Sequence, residues 1–139
     1  MGFTLDRIDH IVLNCRDMEA TVAWYQSVLG MTKEEFGPER RTALRFGDQK
    51  FNVRPTGAPN WNTAETDAPG SLDFCSATRT PLAHVIEHLH ACGVAIINGP
   101  VPQTGALGPM TSVYCHDPDG NLIEIAAYPP PRSSTAAGS

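Results

Sequence analysis

The chain has 139 residues, 41% of them hydrophobic and 18% charged, which is enough to enclose one core and too few for two ordinary domains. Its formal charge of −5, with 10 Lys and Arg scattered along it, excludes a surface built for nucleic acid, where clustered cations must meet phosphates. No run approaches the roughly 20 apolar residues that span a bilayer, and MGFTLDRID carries no apolar signal segment, so a cytoplasmic protein without a membrane partner is expected.

Ile8 to Asn14 is a β-branched run that reads as a strand. From Met18 to Leu29 the period becomes helical, with Met18, Val22, Tyr25 and Leu29 on one stripe. Asp17 suits the N-cap, where a carboxylate accepts orphan N–H groups, and Gly30 suits the left-handed residue that ends a helix. Three short strands follow at Thr32 to Phe36, Arg41 to Phe46 and Gln49 to Arg54, the last two joined by a Gly47-Asp48 turn. Together these form a βαβββ module over about 5–54. Residues 55–71, rich in Pro, Gly, Asn, Thr and Ala, read as a connector.

The same order recurs over about 72–128. Leu72 to Ser76 reads as a strand, and a helix follows with Thr80 as N-cap and Pro81 at its first helical position. Leu82, Val85, Ile86 and Leu89 form its buried stripe, and Gly93 ends it. Strands are expected at Val94 to Ile97, Met110 to His116 and Leu122 to Tyr128, the last two joined by the turn Asp117-Pro118-Asp119-Gly120. Asn98 to Pro109 has no periodicity and reads as a long loop, without the GK[ST] ending of a phosphate-binding loop. The tail 129–139 is expected to be disordered. The predicted fold class is therefore α+β, a single domain over 5–128 in which two βαβββ modules form a curved mixed sheet around a central cavity.

Strand alternation then sorts the polar residues, because neighbours on a strand face opposite ways. His10 opposes Ile11 and Leu13, Arg54 opposes Phe51 and Val53, Asp73 opposes Leu72 and Phe74, and Glu124 opposes Ile123 and Ile125. His10 and Asp73 lie on the first strands of the two modules; Arg54 and Glu124 lie on the last. If the modules close around a cavity, the four converge there. An imidazole with one or two carboxylates suits a divalent ion such as Fe(II), Mn(II), Zn(II) or Ni(II), with positions open to substrate. A guanidinium cannot ligate a metal, and Arg54 is expected to pair with Glu124 or Asp73.

Other residues have blander readings. His84 and His88 stand opposite the buried helix stripe and read as a solvated face. His116 either lines the site or lies at the surface, Trp61 is either a lid or a staple for the connector, and Trp24 serves a dimer contact or a second packing layer. The closest pair among Cys15, Cys75, Cys92 and Cys115 is 17 positions apart, so no CxxC pair exists and all four are expected as small reduced core residues.

The segments Ile8-Asp9-His10-Ile11-Val12-Leu13, Trp24-Tyr25 with Val28-Leu29-Gly30, Phe46 to Asn52, and Asp117 to Glu124 carry a resemblance. The chain resembles the vicinal oxygen chelate superfamily, the glyoxalase, bleomycin-resistance and extradiol-dioxygenase group, from about Leu5 to Tyr128. Phe46 to Asn52, with Gly99-Pro100-Val101 and Thr104-Gly105-Ala106, is similar to the branch of glyoxalase domain-containing protein 5 and the bacterial virulence-associated glyoxalase-like proteins. The resemblance implies a metal between two modules, at positions matching His10, Arg54, Asp73 and Glu124. Arg54 departs from it, because that branch has His where this chain has Asn52-Val53-Arg54. It also implies a homodimer.

Two functions follow. In the first, a metal-dependent lyase, isomerase or dioxygenase, His10, Asp73 and Glu124 ligate the ion, Glu124 moves a proton, and Arg54, Trp61 and His116 meet a small-molecule substrate. In the second, a metal-free protein sequesters a small molecule of the drug or antibiotic type and Arg54 holds an anionic group on it.

Overall fold

A computed structural model describes residues 2–130, so nine of the eleven positions of the expected disordered tail lie outside the described residues. The elements, in order, are β1 (His10–Cys15), α1 (Met18–Leu29), β2 (Thr32–Phe36), β3 (Arg41–Phe46), β4 (Gln49–Pro55), β5 (Asp73–Ala77), α2 (Leu82–Ala91), β6 (Asn98–Gly105), β7 (Gly108–His116) and β8 (Leu122–Ala127). They make two four-stranded mixed sheets, ordered β1-β4-β3-β2 and β5-β8-β7-β6, which is the expected pair of βαβββ modules. The chain divides into two compact units. The first runs to Asp73 and takes in His116–Leu122; the second is Phe74–Cys115 with the chain from Ile123.

In the first unit β1 pairs with β4 in parallel, placing Leu13 beside Val53 and Asn14 beside Arg54, and β2 and β3 complete the sheet antiparallel. Leu13, Cys15, Leu44, Phe51 and Val53 are buried on the face that meets α1. The Asp17 side chain accepts the Ala20 N–H, and Gly30 ends the helix at φ 66, as the sequence predicts. The buried stripe of α1 is rotated from the expected one: it is Thr21, Val22, Tyr25 and Val28, while Met18 and Leu29 are half-buried. Thr21 enters the core because its side chain hydrogen-bonds with Cys15, so the hydroxyl is not left unpaired.

The Asp117-Pro118-Asp119-Gly120 turn packs with this unit. Asp117 accepts the N–H groups of Asp119 and Asn121 and the Asn121 side-chain amide, and the Tyr25 hydroxyl donates to it at 2.7 Å. The turn before β8 is thereby tied to α1.

The second unit departs from expectation in three places. Pro81, not Thr80, is the N-cap of α2: its carbonyl accepts from His84 and Val85, and no side chain caps the helix. The expected strand at Val94 to Ile97 is absent, and the expected loop from Asn98 is β6, antiparallel to β7 from Gly105 opposite Gly108 to Asn98 opposite Tyr114. Pro100 and Pro102 hid this strand, but β6 is an edge strand, where a missing N–H costs no ladder bond. Lastly, only Cys15 and Cys115 are core residues; Cys75 and Cys92 are exposed.

Gly99, where β6 begins, has φ +102, and a Cβ there would lie 2.4 Å from the Ser112 carbonyl oxygen, so the approach of β6 to β7 requires glycine. Opposite Glu124, the sheet buries Val113, Cys115, Ile123 and Ile125; of the expected α2 stripe Leu89 is buried, while Leu82, Val85 and Ile86 are half-buried.

Candidate functional site

Alternation on β8 buries Ile123 and Ile125 and turns Glu124 to the other face, where it is half-buried. Neighbouring strands bring polar side chains to it. The Ser112 hydroxyl, itself buried, donates to Glu124 Oε2 at 2.6 Å from β7. Two residues on, the Tyr114 hydroxyl accepts from the Gln103 amide of β6 at 2.9 Å. Burial, then the Glu124 charge and hydrogen bonding to it, raises the Tyr114 phenol. From β5, Cys75 meets the same carboxylate; although the residue is exposed overall, partial desolvation of its thiol first, and then Glu124, pushes it up to about 11. A carboxylate surrounded by neutral hydroxyl, phenol and thiol donors spans four strands of one unit. Such an array presents an anionic oxygen able to take a proton or bind a cation.

The first unit carries a second polar face, of His10 and Asn14 on β1 and Asn52 and Arg54 on β4. His10 is 43% exposed at its side chain and donates through Nδ1 to Asp9 at 2.8 Å; the ring holds the Asp9 carboxyl below its usual range. Arg54 is the contrary case. Its side chain is 7% exposed, and its guanidinium donates to Asn14 Oδ1 at 3.2 Å, Asp67 Oδ2 at 2.8 Å and the Ala58 carbonyl at 3.0 Å. The expected pairing of Arg54 with Glu124 or Asp73 is thus corrected: its acid is Asp67 of the connector. The permanent charge is buried, and the connector supplies the counterion.

The remaining candidates are simpler. Asp73 opens β5 and is exposed, on the same face of that strand as Cys75. His116 is exposed at the end of β7. Trp61 is half-buried with the Arg41 guanidinium 4.0 Å from its ring centroid, and Arg41 also donates to the Asn60 carbonyl, an arrangement that staples the connector. Trp24 packs edge-on to Tyr25. His84 and His88 are exposed, as expected of a solvated face.

Arg54 does not fit the four-ligand set that the resemblance implies. It cannot ligate and is already engaged, and among the described residues neither unit by itself gathers three His, Cys, Asp or Glu side chains able to hold a metal. Sequence reasoning named Glu124 but missed Cys75, Gln103, Ser112 and Tyr114. Gln103 lay in the supposed loop and Cys75 in the supposed core. For Ser112 and Tyr114 the signal was available, since both share the parity of His116 on β7.

The family model of the Glyoxalase/Bleomycin resistance protein/Dioxygenase superfamily matches residues 7–125. Virulence protein STM3117 of Salmonella typhimurium is 43% identical over 124 residues, 89% of this chain and 85% of that one. Glyoxalase domain-containing protein RDO1 of Mycosarcoma maydis is 41% identical over 121 residues, 87% of this chain and 68% of that one. An integron cassette protein from the mobile metagenome of V. Cholerae superposes with a TM-score of 0.89 at 41% identity, over 93% of this chain and all of that one. At 20% identity a lactoylglutathione lyase from Agrobacterium tumefaciens shares the fold, with a TM-score of 0.68 over 89% of this chain and 95% of that one. An antibiotic-binding protein from Streptomyces shares it at 19% identity, with a TM-score of 0.71 over 92% of this chain and all of that one. One fold thus serves proteins named for a reaction and for binding.

Proposed function

Because the chain belongs to the glyoxalase/bleomycin resistance protein/dioxygenase superfamily, we propose that it transforms a small molecule as a glyoxalase-like lyase, isomerase or dioxygenase, with Glu124 handling the proton. The observation that carries this reading is the half-buried Glu124 carboxylate, held by the Ser112 hydroxyl at 2.6 Å on a sheet face shared with Tyr114 and Cys75. A base must be fixed within hydrogen-bond reach of the proton it takes, and the Ser112 contact holds one carboxylate oxygen in place. Tyr114 and Ser112 supply hydroxyls beside it for oxygen atoms of a substrate.

The test is turnover of thiol-adduct and catechol-type substrates by wild type and Glu124→Gln. Loss of about a hundredfold or more in rate in the variant supports the proposal, and undiminished turnover overturns it. Metal dependence, with His10, Asp73 and Glu124 as donors, rests on the superfamily resemblance. Elemental analysis decides it: metal retained by wild type and lost from His10→Ala supports a metalloenzyme. Wild type that stays metal-free after incubation with Fe(II), Mn(II), Ni(II) and Zn(II) removes that form of the reading.

A second reading, metal-free sequestration of a small molecule, is favoured by Arg54. At a position where the resemblance implies a ligand, the chain places a buried guanidinium that recognises anions and not cations. A homodimer is proposed under either reading, and light scattering of the purified protein tests it.

A further inference from the structure

The partners of Arg54 fall into two kinds. Asn14 belongs to β1, and Ala58 lies in the turn directly after β4, where its own N–H donates to the Pro55 carbonyl. Both offer neutral oxygens and both are built into the sheet and its turn. The single negative charge among these contacts comes from Asp67, which sits in a stretch of the connector without helix or strand and is 38% exposed at its side chain.

The contact with Asp67 also leaves the guanidinium incompletely used. It is a one-point bond from Nη1 to Oδ2, whereas a guanidinium can meet a carboxylate or phosphonate through two parallel N–H bonds. Among the described residues Arg54 Nε is buried without a hydrogen-bond partner, and so is Asn52 Oδ1, two residues earlier on the same face of β4. A fixed cation with a spare donor therefore stands beside a spare acceptor, both more than nine-tenths buried.

We infer that Asp67 is an internal stand-in for an anionic ligand, and that a small organic carboxylate or phosphonate carrying a hydrogen-bond donor displaces it from Arg54. The ligand's anion takes the Nη1 position that Asp67 holds, its donor meets Asn52 Oδ1, and Asp67, already half in solvent, is released with its part of the connector. The inference deepens the second reading above, in which Arg54 holds an anionic group, and rests on it.

The experiment is thermal unfolding of wild type, Asp67→Ala and Asp67→Asn, each with and without Arg54→Gln, in acetate, inorganic phosphate or methylphosphonate against chloride at equal ionic strength. With Asp67 removed, the site is open. The midpoint of Asp67→Ala is expected below that of wild type in chloride, and to rise by about 4 °C or more in the test anions. Wild type should gain much less, because its own carboxylate competes, and Arg54→Gln should abolish the gain. Asp67→Asn keeps the shape of the side chain without its charge, and gives the same comparison if the alanine variant does not fold. Equal gains in wild type and in the Asp67 variants, all abolished by Arg54→Gln, would leave Arg54 as an anion site and overturn the stand-in. The absence of any gain that depends on Arg54 would overturn both.

Discussion

Cys75 reports on the Glu124 face, and the perturbation that exposes it is Glu124→Gln. The Cys75 thiol is raised from 9.0 to about 11 by burial first and by the Glu124 charge and hydrogen bond after it. At pH 8 about one Cys75 in a thousand is then ionised, against about one in ten for a thiol at its ordinary value. A more basic thiolate is also a better nucleophile, which returns roughly a factor of ten over two units. The net expectation is alkylation about tenfold slower than that of an unperturbed thiol. Replacing Glu124 by Gln removes the charge but not the burial, so the ionisation midpoint should fall part of the way and the rate at pH 8 should rise about threefold. The assay is iodoacetamide alkylation followed by mass spectrometry across pH 7 to 11, in a Cys92→Ser background because Cys92 is the other exposed thiol. Rates and midpoints identical in the two proteins would refute the juxtaposition of Cys75 and Glu124, and the polar face with it.

Tyr25→Phe removes the hydroxyl that donates to buried Asp117 at 2.7 Å and should cost about 1.5 to 3 kcal/mol, read from urea unfolding. Gly99→Ala should cost about 3 kcal/mol or more, because φ +102 and the Ser112 carbonyl both oppose a Cβ. Gly105→Ala should cost less in the same measurement, since its Cβ would meet the movable ends of Tyr128 and Met110. Stability should also fall on the alkaline side. Cys15, Cys75 and Tyr114 all have raised values in the fold, so they hold protons that the unfolded chain gives up. For Cys75 the stabilisation is complete below about pH 9 and lost as pH rises toward 11, which unfolding midpoints at pH 8 and pH 10.5 would show. Asn14→Asp in an Asp67→Ala background would supply an acid to Arg54 from the sheet itself. It should recover most of the stability lost with Asp67, and no recovery would show that Asn14 does not reach Arg54 as the 3.2 Å contact requires.

The fold was legible wherever a local period decided it. Asp17, Gly30 and the Gly47-Asp48 turn each mark a boundary by backbone chemistry alone, and the elements stand where those residues put them. The failures share a cause, that tertiary context chose among equally good local options. Proline argued against β6, but the position of β6 at the sheet edge removed the objection. Thr21 displaced Met18 from the buried stripe because Cys15 was there to satisfy its hydroxyl. For the site, parity alone placed Glu124 and Arg54 opposite the helix-facing residues of their strands. Their partners came from positions that parity cannot reach: a connector acid for one, and an edge-strand amide acting through Tyr114 for the other.

Arg54 and Glu124 occupy the same place in the two modules, on the last strand and opposite the apolar face, yet their charges are handled in opposite ways. Glu124 is met by hydroxyl and thiol groups of its own sheet, neutral donors that leave its negative charge available. No acid of its own sheet meets Arg54. Beside it on β1 stands Asn14, whose amide oxygen accepts a hydrogen bond without cancelling a charge. A guanidinium that is 7% exposed cannot rest on neutral acceptors alone, so an acid must come from elsewhere, and Asp67 is the acid that the connector brings. The repeat therefore explains both why a pairing of Arg54 with Glu124 was a natural expectation and why the fold had no need of it. The carboxylate is satisfied within its sheet; the cation has to borrow its counterion from a segment that belongs to no sheet, and a borrowed counterion is one that a ligand can replace.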